Sequence, residues 1–219
     1  MSLRLGWMVA LPILAAMLAA SFYVLGELPP GARIATHFGL DGQPNDWSSA
    51  WFGVLVMPVT GLFMSLIFSV LPIIDPRRHG IERSMLALVA IWLAALVVLA
   101  AGHAAILLKA LGQPVEVGRL LTGAAGLLLL VMGNFQGKIR WNYTFGIRTP
   151  WTLASERVWD KTHRFGGWLF FALGAVLIGA ALLSIDAMTR GRIFYLIVPV
   201  GLLIVLKSYL LWRQEQHQP

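Results

Sequence analysis

Residues 84–108 read SMLALVAIWLAALVVLAAGHAAILL, a run of 25 residues in which His103 is the only ionisable side chain. A helix of about 20 apolar residues is long enough to cross a hydrocarbon core about 30 Å thick. This run therefore predicts a helix that spans a membrane.

Five further apolar runs flank this one on both sides. They cover about residues 5–25, 51–74, 118–135, 165–185 and 192–212. Hydrophobic residues make up 58% of the 219, and charged residues only 12%. A soluble domain carries about a quarter charged residues. The chain is therefore predicted to be an all-α membrane protein, a bundle of six transmembrane helices. We read the first run as a retained helix, because it is longer than the apolar core of a secretory signal.

The polar segments divide the chain into two predicted halves of three helices each. Residues 1–110 form the first half and contain an outward loop at 26–50. Residues 111–219 form the second half and contain a cytoplasmic block at 133–167. The chain has no cysteine, which excludes disulfides, thiolate metal sites and cysteine nucleophiles.

The net charge of +7 is unevenly placed along the chain. If helices alternate in direction, twelve cations fall on one side and five on the other. The positive-inside rule then places both termini, the 75–83 loop and the 133–167 block in the cytoplasm. Basic residues at a cytoplasmic leaflet are drawn to anionic lipid. Membrane lipids are therefore the expected partner, and direct nucleic-acid binding is not expected.

Two features of the apolar runs concern helix packing. Small residues at four-residue spacing (Ala16 and Ala20, Ala90 and Ala94, Ala175 and Gly179) predict close helix contacts. His103 is a functional candidate because an ionisable group inside a membrane is costly. The alternative is a histidine hydrogen-bonded to a neighbouring helix, and we favour it.

The cytoplasmic block reads GNFQGKIRWNYTFGIRTPWTLASERVWDKTHRFGG, which is too polar and aromatic for a simple connector. Thr149 followed by Pro150 is typical of a helix start. Nothing breaks a helix between residues 150 and 164, and two glycines follow at 166 and 167. We therefore predict a cytoplasmic amphipathic helix with a basic side between the fourth and fifth transmembrane helices.

Three side chains of this block invite a chemical hypothesis. Glu156, Asp160 and His163 fall within one arc of the predicted helix and could bind a divalent cation or transfer protons. The alternative, that these acids pair with nearby cations at helical spacing, is the one we favour. Neither a catalytic residue nor a cofactor is expected.

Arg140 and Arg148 suggest a second class of function. A guanidinium can bind a carboxylate or phosphate through two parallel hydrogen bonds. Arg140 and Arg148, with Glu156 and His163, could thus serve a membrane enzyme or a lipid- or ion-handling protein at the inner leaflet.

The outward loop contains ELPPGARIATHFGLDGQPNDWSSAW at residues 27–51. His37, Asp41 and Asp46 could supply metal ligands, but their spacing matches no established motif. Asx residues beside glycine and proline are ordinary turn formers, so we predict a turn-rich structural loop. Trp47 and Trp51 are predicted to lie at the outer membrane interface.

Several motifs of this chain resemble the SdpI family. In the block they are Gly133-Asn134, Gly137-Lys138-Ile139-Arg140, Asn142-Tyr143, Gly146-Ile147-Arg148-Thr149-Pro150-Trp151-Thr152-Leu153, Ser155-Glu156, Val158-Trp159 and Lys161-Thr162-His163-Arg164. The outer segment, with Thr36-His37-Phe38, Asp41-Gly42 and Pro44 to Trp47, is similar to a domain of unknown function that often accompanies them.

The resemblance implies a bacterial six-helix inner-membrane protein that protects its cell from a secreted, membrane-active toxin peptide. In the family's namesake, toxin recognition is linked to holding a transcriptional repressor at the membrane. The resemblance thus implies a toxin peptide on the outer side and a repressor protein on the cytoplasmic side as partners. The candidate binding residues of the block are Asn134, Arg140, Asn142, Arg148, Thr149, Trp151, Glu156, Trp159 and His163. Those of the outer loop are His37, Asp41, Asp46 and Trp47.

Overall fold

The computed structural model describes residues 2–39, 41–183 and 185–217. The elements are α1 (Leu3–Glu27), β1 (Arg33–Phe38), β2 (Pro44–Ser49), α2 (Ala50–Ile74), α3 (Arg78–Arg83), α4 (Met85–Ala110), α5 (Val117–Gln136), α6 (Pro150–Ala154), α7 (Glu156–Leu182), α8 (Ala187–Ile193), a 3-10 turn (Phe194–Leu196) and α9 (Ile197–Gln216). Among the described residues, six helical stretches are long and apolar enough to cross a membrane: α1, α2, α4, α5, α7 and residues 187–216. The predicted six-helix membrane fold is confirmed.

The helices α1, α2 and α4 pack together around Trp92, which is fully buried on α4. Its indole N–H donates to Ser65 Oγ on α2 at 2.9 Å. The ring of Trp7 on α1 meets it edge-on, with 5.4 Å between ring centroids. An indole buried in an apolar bundle needs a hydrogen-bond acceptor, and Ser65 provides it.

His103 links the same three helices near the opposite end. Its Nε2 lies 3.0 Å from Ser21 Oγ on α1 and 3.1 Å from the Val54 carbonyl on α2. Ser21 Oγ also donates to the Val54 carbonyl at 2.7 Å. That carbonyl lacks its helical partner because Pro58, four residues on, has no N–H. The prediction of a histidine bonded to a neighbouring helix is confirmed.

Removing this hydroxyl should weaken the first half of the bundle. We expect Ser21→Ala to lower the free energy of unfolding by about 0.5–1.5 kcal/mol, because His103 and the Val54 carbonyl both lose a partner. Thermal unfolding in detergent would measure it. Thr60→Ala, at an exposed hydroxyl on α2, is the matched control and should change little. Equal effects of the two changes would contradict the proposed role of Ser21.

The helices α5 and α7 form the tightest helix pair, and glycines make this possible. A Cβ placed on Gly174 of α7 would lie 2.7 Å from the backbone N of Leu130 and 2.8 Å from the carbonyl of Gly126. A Cβ on Gly133 of α5 would lie 2.5 Å from the backbone N of Phe171. Gly126 and Gly133 lie seven residues apart on α5, and Gly167 and Gly174 lie seven residues apart on α7, so the two backbones touch along one seam.

The predicted pair Ala175 and Gly179 does not lie on this seam. Ala175 is exposed, and no atom lies within 4 Å of a Cβ placed on Gly179. Close helix contact through small residues on α7 was predicted correctly, but Ala175 and Gly179 lie on a different face of the helix from that contact.

A β-hairpin replaces the predicted turn-rich loop. Strands β1 and β2 pair antiparallel with Arg33 opposite Ser49 and Ile34 opposite Ser48, and with irregular register around His37. The side chain of Ile34 is buried against α2, where a Cβ on Gly53 would come within 2.6 Å of it. This buried contact fixes one face of the hairpin on the bundle.

The separate amphipathic helix between the fourth and fifth transmembrane helices is not confirmed. Thr149 caps α6 and Pro150 is its first residue, as predicted, but α6 ends at Ala154. Ser155 is extended, and its side chain accepts from the Val158 N–H to begin α7. Residues 156–164 are thus the first turns of the fifth transmembrane helix. Gly167 lies inside α7, where a Cβ would approach the Gly133 carbonyl at 2.9 Å.

Candidate functional site

A buried carboxylate organises one end of the bundle. Asp75, only 1% exposed, follows directly after α2. Its Oδ1 accepts from the Arg77 N–H at 2.7 Å. Its Oδ2 accepts from the N–H groups of Tyr143 and Thr144, both at 2.9 Å, and from Thr144 Oγ1 at 2.7 Å. Asp75 therefore ties the chain after α2 to the segment between α5 and α6.

Arg77 and Ser84 form three further contacts between the same segments. The Arg77 guanidinium lies 3.2 Å from the ring centroid of Trp141 and donates to the Tyr143 hydroxyl at 2.9 Å. Ser84 Oγ accepts from the Arg140 N–H at 2.7 Å and donates to the Gly80 carbonyl. We call residues 75–84 and 137–149 the basic-end unit. Because it links residues from both predicted halves, the halves are joined at this end.

Asn142, a predicted binding residue, is fully buried within the basic-end unit. Its Nδ2 donates to the carbonyls of Arg140 and Phe145, at 2.8 and 2.9 Å. Its Oδ1 accepts from the N–H groups of Thr144 and Phe145, at 3.0 and 2.7 Å. All of its hydrogen-bonding capacity shapes the turn, so Asn142 is a structural residue.

His163 and Trp159, both on α7, form hydrogen bonds that hold the basic-end unit in place. His163 Nε2 lies 2.9 Å from the Ile147 N–H and must accept from it, because a backbone N–H only donates. Nδ1 then carries the proton and donates to the Trp159 carbonyl at 2.9 Å. The Trp159 indole donates to the Ile139 carbonyl at 2.8 Å and stacks on the imidazole. Gly146, at φ +122°, is needed here, because a Cβ would lie 2.5 Å from His163 Nε2.

The predicted metal and acid–base roles of the Glu156, Asp160 and His163 arc do not fit this geometry. Both His163 nitrogens are committed to backbone groups, so neither can bind a metal or abstract a proton. Within residues 2–39, 41–183 and 185–217, no three His, Asp or Glu side chains are placed to hold a metal ion. The predicted pairing of Glu156 and Asp160 with nearby cations stays a prediction.

The cluster of Arg140, Arg148, Glu156 and His163 is likewise not assembled. The first three are exposed, whereas His163 is 1% exposed. Arg148 donates to the Tyr143 carbonyl at 3.2 Å. The enzyme hypothesis therefore loses His163 as an acid or base.

The other predicted residues of the block fall into two groups. Thr149 is buried, and its hydroxyl lies 3.1 Å from Ser208 Oγ on α9. Trp151 packs on Tyr209, also on α9, with ring centroids 5.2 Å apart. Both therefore anchor the last helix. Asn134, Arg140, Arg148 and Glu156 are exposed and remain free to contact a partner.

At the hairpin end, the predicted polar residues shape the hairpin itself. Asp41 Oδ1 accepts from the Gln43 N–H at 3.0 Å, and Asp46 Oδ1 from the Trp47 N–H at 2.8 Å. His37 Nδ1 pairs with the Asn45 side chain. These hydrogen bonds give the three side chains a structural role within the hairpin, and binding of a partner by them stays a prediction. Trp47 is 46% exposed, and its placement at the membrane interface stays a prediction.

A charged cleft of about 530 Å³ lies between the hairpin turn and the neighbouring helix ends. Its charged lining comes from Asp41, Lys109, Glu116, Arg119, Asp186 and Arg190. Glu116 lies 3.2 Å from Arg119 and 3.6 Å from the buried Arg190. Asp186 is charged at neutral pH, and hydrogen bonds from the side chain and backbone N–H of Thr189 lower its pKa further. The cleft therefore presents fixed charges of both signs.

Sequence reasoning missed Asp75, Arg77 and Ser84. One signal was available: in Asp75-Pro76-Arg77-Arg78, an acid at the end of an apolar run stands alone among cations. Its donors on Tyr143 and Thr144 lie 68 and 69 residues away. No local pattern indicates such a pairing.

Comparison with known proteins matches two segments of the chain. Residues 138–210 match the SdpI/YfhL protein family, and residues 13–62 match a domain of unknown function, DUF1648. The Immunity protein SdpI of Bacillus subtilis (strain 168) is 28% identical over 124 residues, or 57% of this chain. The matched region spans 58% of that relative. No solved structure matches the chain.

These matches confirm the resemblance found in the sequence. The first segment runs from the basic-end unit through α6 and α7 into α9, and the second covers the hairpin with most of α1 and half of α2. Asp75 lies in neither segment, yet its carboxylate holds the beginning of the first.

Proposed function

We propose that this chain, an SdpI-like multi-pass membrane protein, protects a bacterial cell against a secreted, membrane-active peptide. The observation that carries the proposal is the similarity to a protein named for immunity, over 57% of the chain. One observation favours this proposal over catalysis: both ring nitrogens of His163, an acid–base candidate, are bonded to backbone groups.

The proposed site of peptide contact is the hairpin end. A membrane-active peptide is amphipathic, so it can lie along the exposed Trp47 and Trp51 and place its charged groups in the cleft. The fixed charges of both signs suit the termini and side chains of a peptide. The proposed site of repressor contact is the other end, where Arg140 and Arg148 are exposed.

Survival of sensitive cells tests the immunity proposal. The chain would be expressed in Bacillus subtilis lacking its own SdpI and in a neutral host. The cells would be challenged with the peptide that kills the first strain and with secreted peptides encoded beside this chain's gene. We expect better survival than with an empty vector for at least one peptide. Survival no better than the empty vector across the whole set would contradict the proposal.

The proposal also requires the basic end to face the cytoplasm. Twelve of the 17 cations lie toward that end, and the positive-inside rule favours this orientation. Because the native chain has no cysteine, single cysteines can be introduced without background. A membrane-impermeant maleimide should label Gln43→Cys in intact cells, and Arg148→Cys only after permeabilisation. The reverse pattern would overturn the orientation.

Repressor contact can be tested separately from immunity. A fluorescent fusion of a small DNA-binding protein encoded beside the gene should move to the membrane on peptide challenge. We expect Arg140→Gln with Arg148→Gln to abolish this movement, whereas Arg192→Gln, an exposed cation at the hairpin end, should not. Equal recruitment by the native chain, the double variant and Arg192→Gln would contradict a role for the basic end.

A further inference from the structure

We propose that a groove between the end of α5 and the beginning of α7 binds the headgroup of an anionic phospholipid. The groove has a volume of about 520 Å³ and lies beside the basic-end unit. Its polar lining consists of Asn134, Lys138 and Arg164, and its aromatic lining consists of Trp168 and Phe171.

The groove exists because three of its lining residues are glycines. Gly133 and Gly167 are required for the close approach of α5 and α7, as a Cβ on either would meet backbone of the facing helix. Gly137 lies under Arg164, where a Cβ would come within 3.4 Å of the arginine Cγ. The absence of three side chains leaves space that the cations border but do not fill.

The charge of the groove is uncompensated. No acidic residue lines it. In the part of the chain that the structure describes, Arg164 forms no ion pair or hydrogen bond. Among the described residues, Lys138 Nζ forms no ion pair and lies 4.6 Å from the centroid of the Phe135 ring. A guanidinium presents paired donors that match a phosphate, and the Asn134 amide can add another. These groups therefore select an anion with oxygen acceptors.

The order of side chains along α7 identifies the anion as part of a lipid. Arg164, Trp168 and Phe171 are spaced four and three residues apart, so they lie along one helix face. Because α7 enters the membrane from the basic end, this face changes from cationic to amphipathic to apolar with depth. Trp168 is 77% exposed and Phe171 is 47% exposed. A phospholipid has the same order of phosphate, glycerol and acyl chain, and tryptophan favours the interfacial level.

Native mass spectrometry of the full chain in detergent tests this site. The delipidated protein would be titrated with phosphatidylglycerol and, separately, with phosphatidylcholine. We expect the native chain to bind phosphatidylglycerol more tightly than phosphatidylcholine. In the double variant Lys138→Gln with Arg164→Gln, the affinity for phosphatidylglycerol should fall at least about tenfold, since each cation near a membrane surface contributes about 1 kcal/mol. Both side chains are exposed, so the variant should fold, and its elution and melting temperature would verify this.

The matched control is Arg140→Gln with Arg148→Gln, which removes two exposed cations at the same end but outside the groove. In this control the affinity for phosphatidylglycerol should fall less than about twofold, because only general surface charge is reduced. Equal losses in the two double variants would overturn the proposal, as would equal binding of the two lipids. Competition by millimolar inorganic phosphate would also overturn it, because the site would then recognise free phosphate. Should the double variant not fold, the single change Arg164→Gln must by itself weaken phosphatidylglycerol binding.

Discussion

Replacing Asp75 with alanine is expected to release residues 137–149 from the bundle and to lower the free energy of unfolding by about 3–5 kcal/mol. The change removes the acceptor of four hydrogen bonds at a position that is 1% exposed. A hydrogen bond to a charged group contributes about 1.5–3 kcal/mol, and a buried donor left unpaired costs a similar amount. Water at the end of the bundle would recover part of this loss. Asp75→Asn, which keeps one acceptor oxygen, should fall between alanine and the native residue.

Limited proteolysis would measure the release directly. The segment offers trypsin Lys138, Arg140 and Arg148, and its backbone must detach before it can enter the protease. We expect faster cleavage at these sites in Asp75→Ala, together with a lower melting temperature. Asp46→Ala is the control, because that carboxylate bonds only its neighbouring N–H at the hairpin end. Cleavage of the Asp75 variant at the native rate would show that the carboxylate does not hold the segment.

Gly174→Ala is the second substitution for which we expect a large effect, a loss of about 2–3 kcal/mol in the free energy of unfolding. The added Cβ would lie 2.7 Å from Leu130 N and 2.8 Å from the Gly126 carbonyl. Both are backbone atoms of α5, so the helices must move apart and lose contacts along the whole seam. Separation of α5 and α7 would also disturb the groove and the basic-end unit.

The same helix supplies a matched control for this prediction. No atom lies within 4 Å of a Cβ on Gly179, so Gly179→Ala should be neutral or stabilise the fold by up to about 1 kcal/mol. Thermal unfolding in detergent would compare the two variants at equal protein concentration. If both alanines had the same effect, close packing at Gly174 would not be what holds α5 to α7. In the survival assay, Gly179→Ala should protect as well as the native chain, and Gly174→Ala less.

The membrane fold could be predicted from sequence because each span is a local property. Length and hydropathy alone determine whether a run such as residues 84–108 can cross a bilayer. The β-hairpin was missed because its strands are short and only Ile34 is deeply buried, so alternation is weak. The helix at 150–164 was wrongly extended across Ser155, whose extended backbone ends α6 and whose side chain caps α7.

The predicted binding residues illustrate a different limit. Their types were unusual for a connector, and this composition led to the prediction that the 133–167 block is the specialised part of the chain. Composition cannot distinguish a polar side chain that builds a turn from one that binds a partner. The side chains of Asn142 and His163 form all their hydrogen bonds with backbone groups, whereas Arg140 and Arg148 remain exposed. Only the contacts separate these two kinds of residue.

The most direct test of the proposed immunity is the membrane potential of challenged cells, because a membrane-active peptide acts first on the membrane. Cells of the sensitive strain would carry a potential-sensitive dye and express either the native chain, Gly174→Ala or an empty vector. We predict that the native chain preserves the potential after addition of a peptide that collapses it in the empty-vector cells, and that Gly174→Ala preserves it less. Collapse at the same rate in cells with the native chain and with the empty vector would contradict the account.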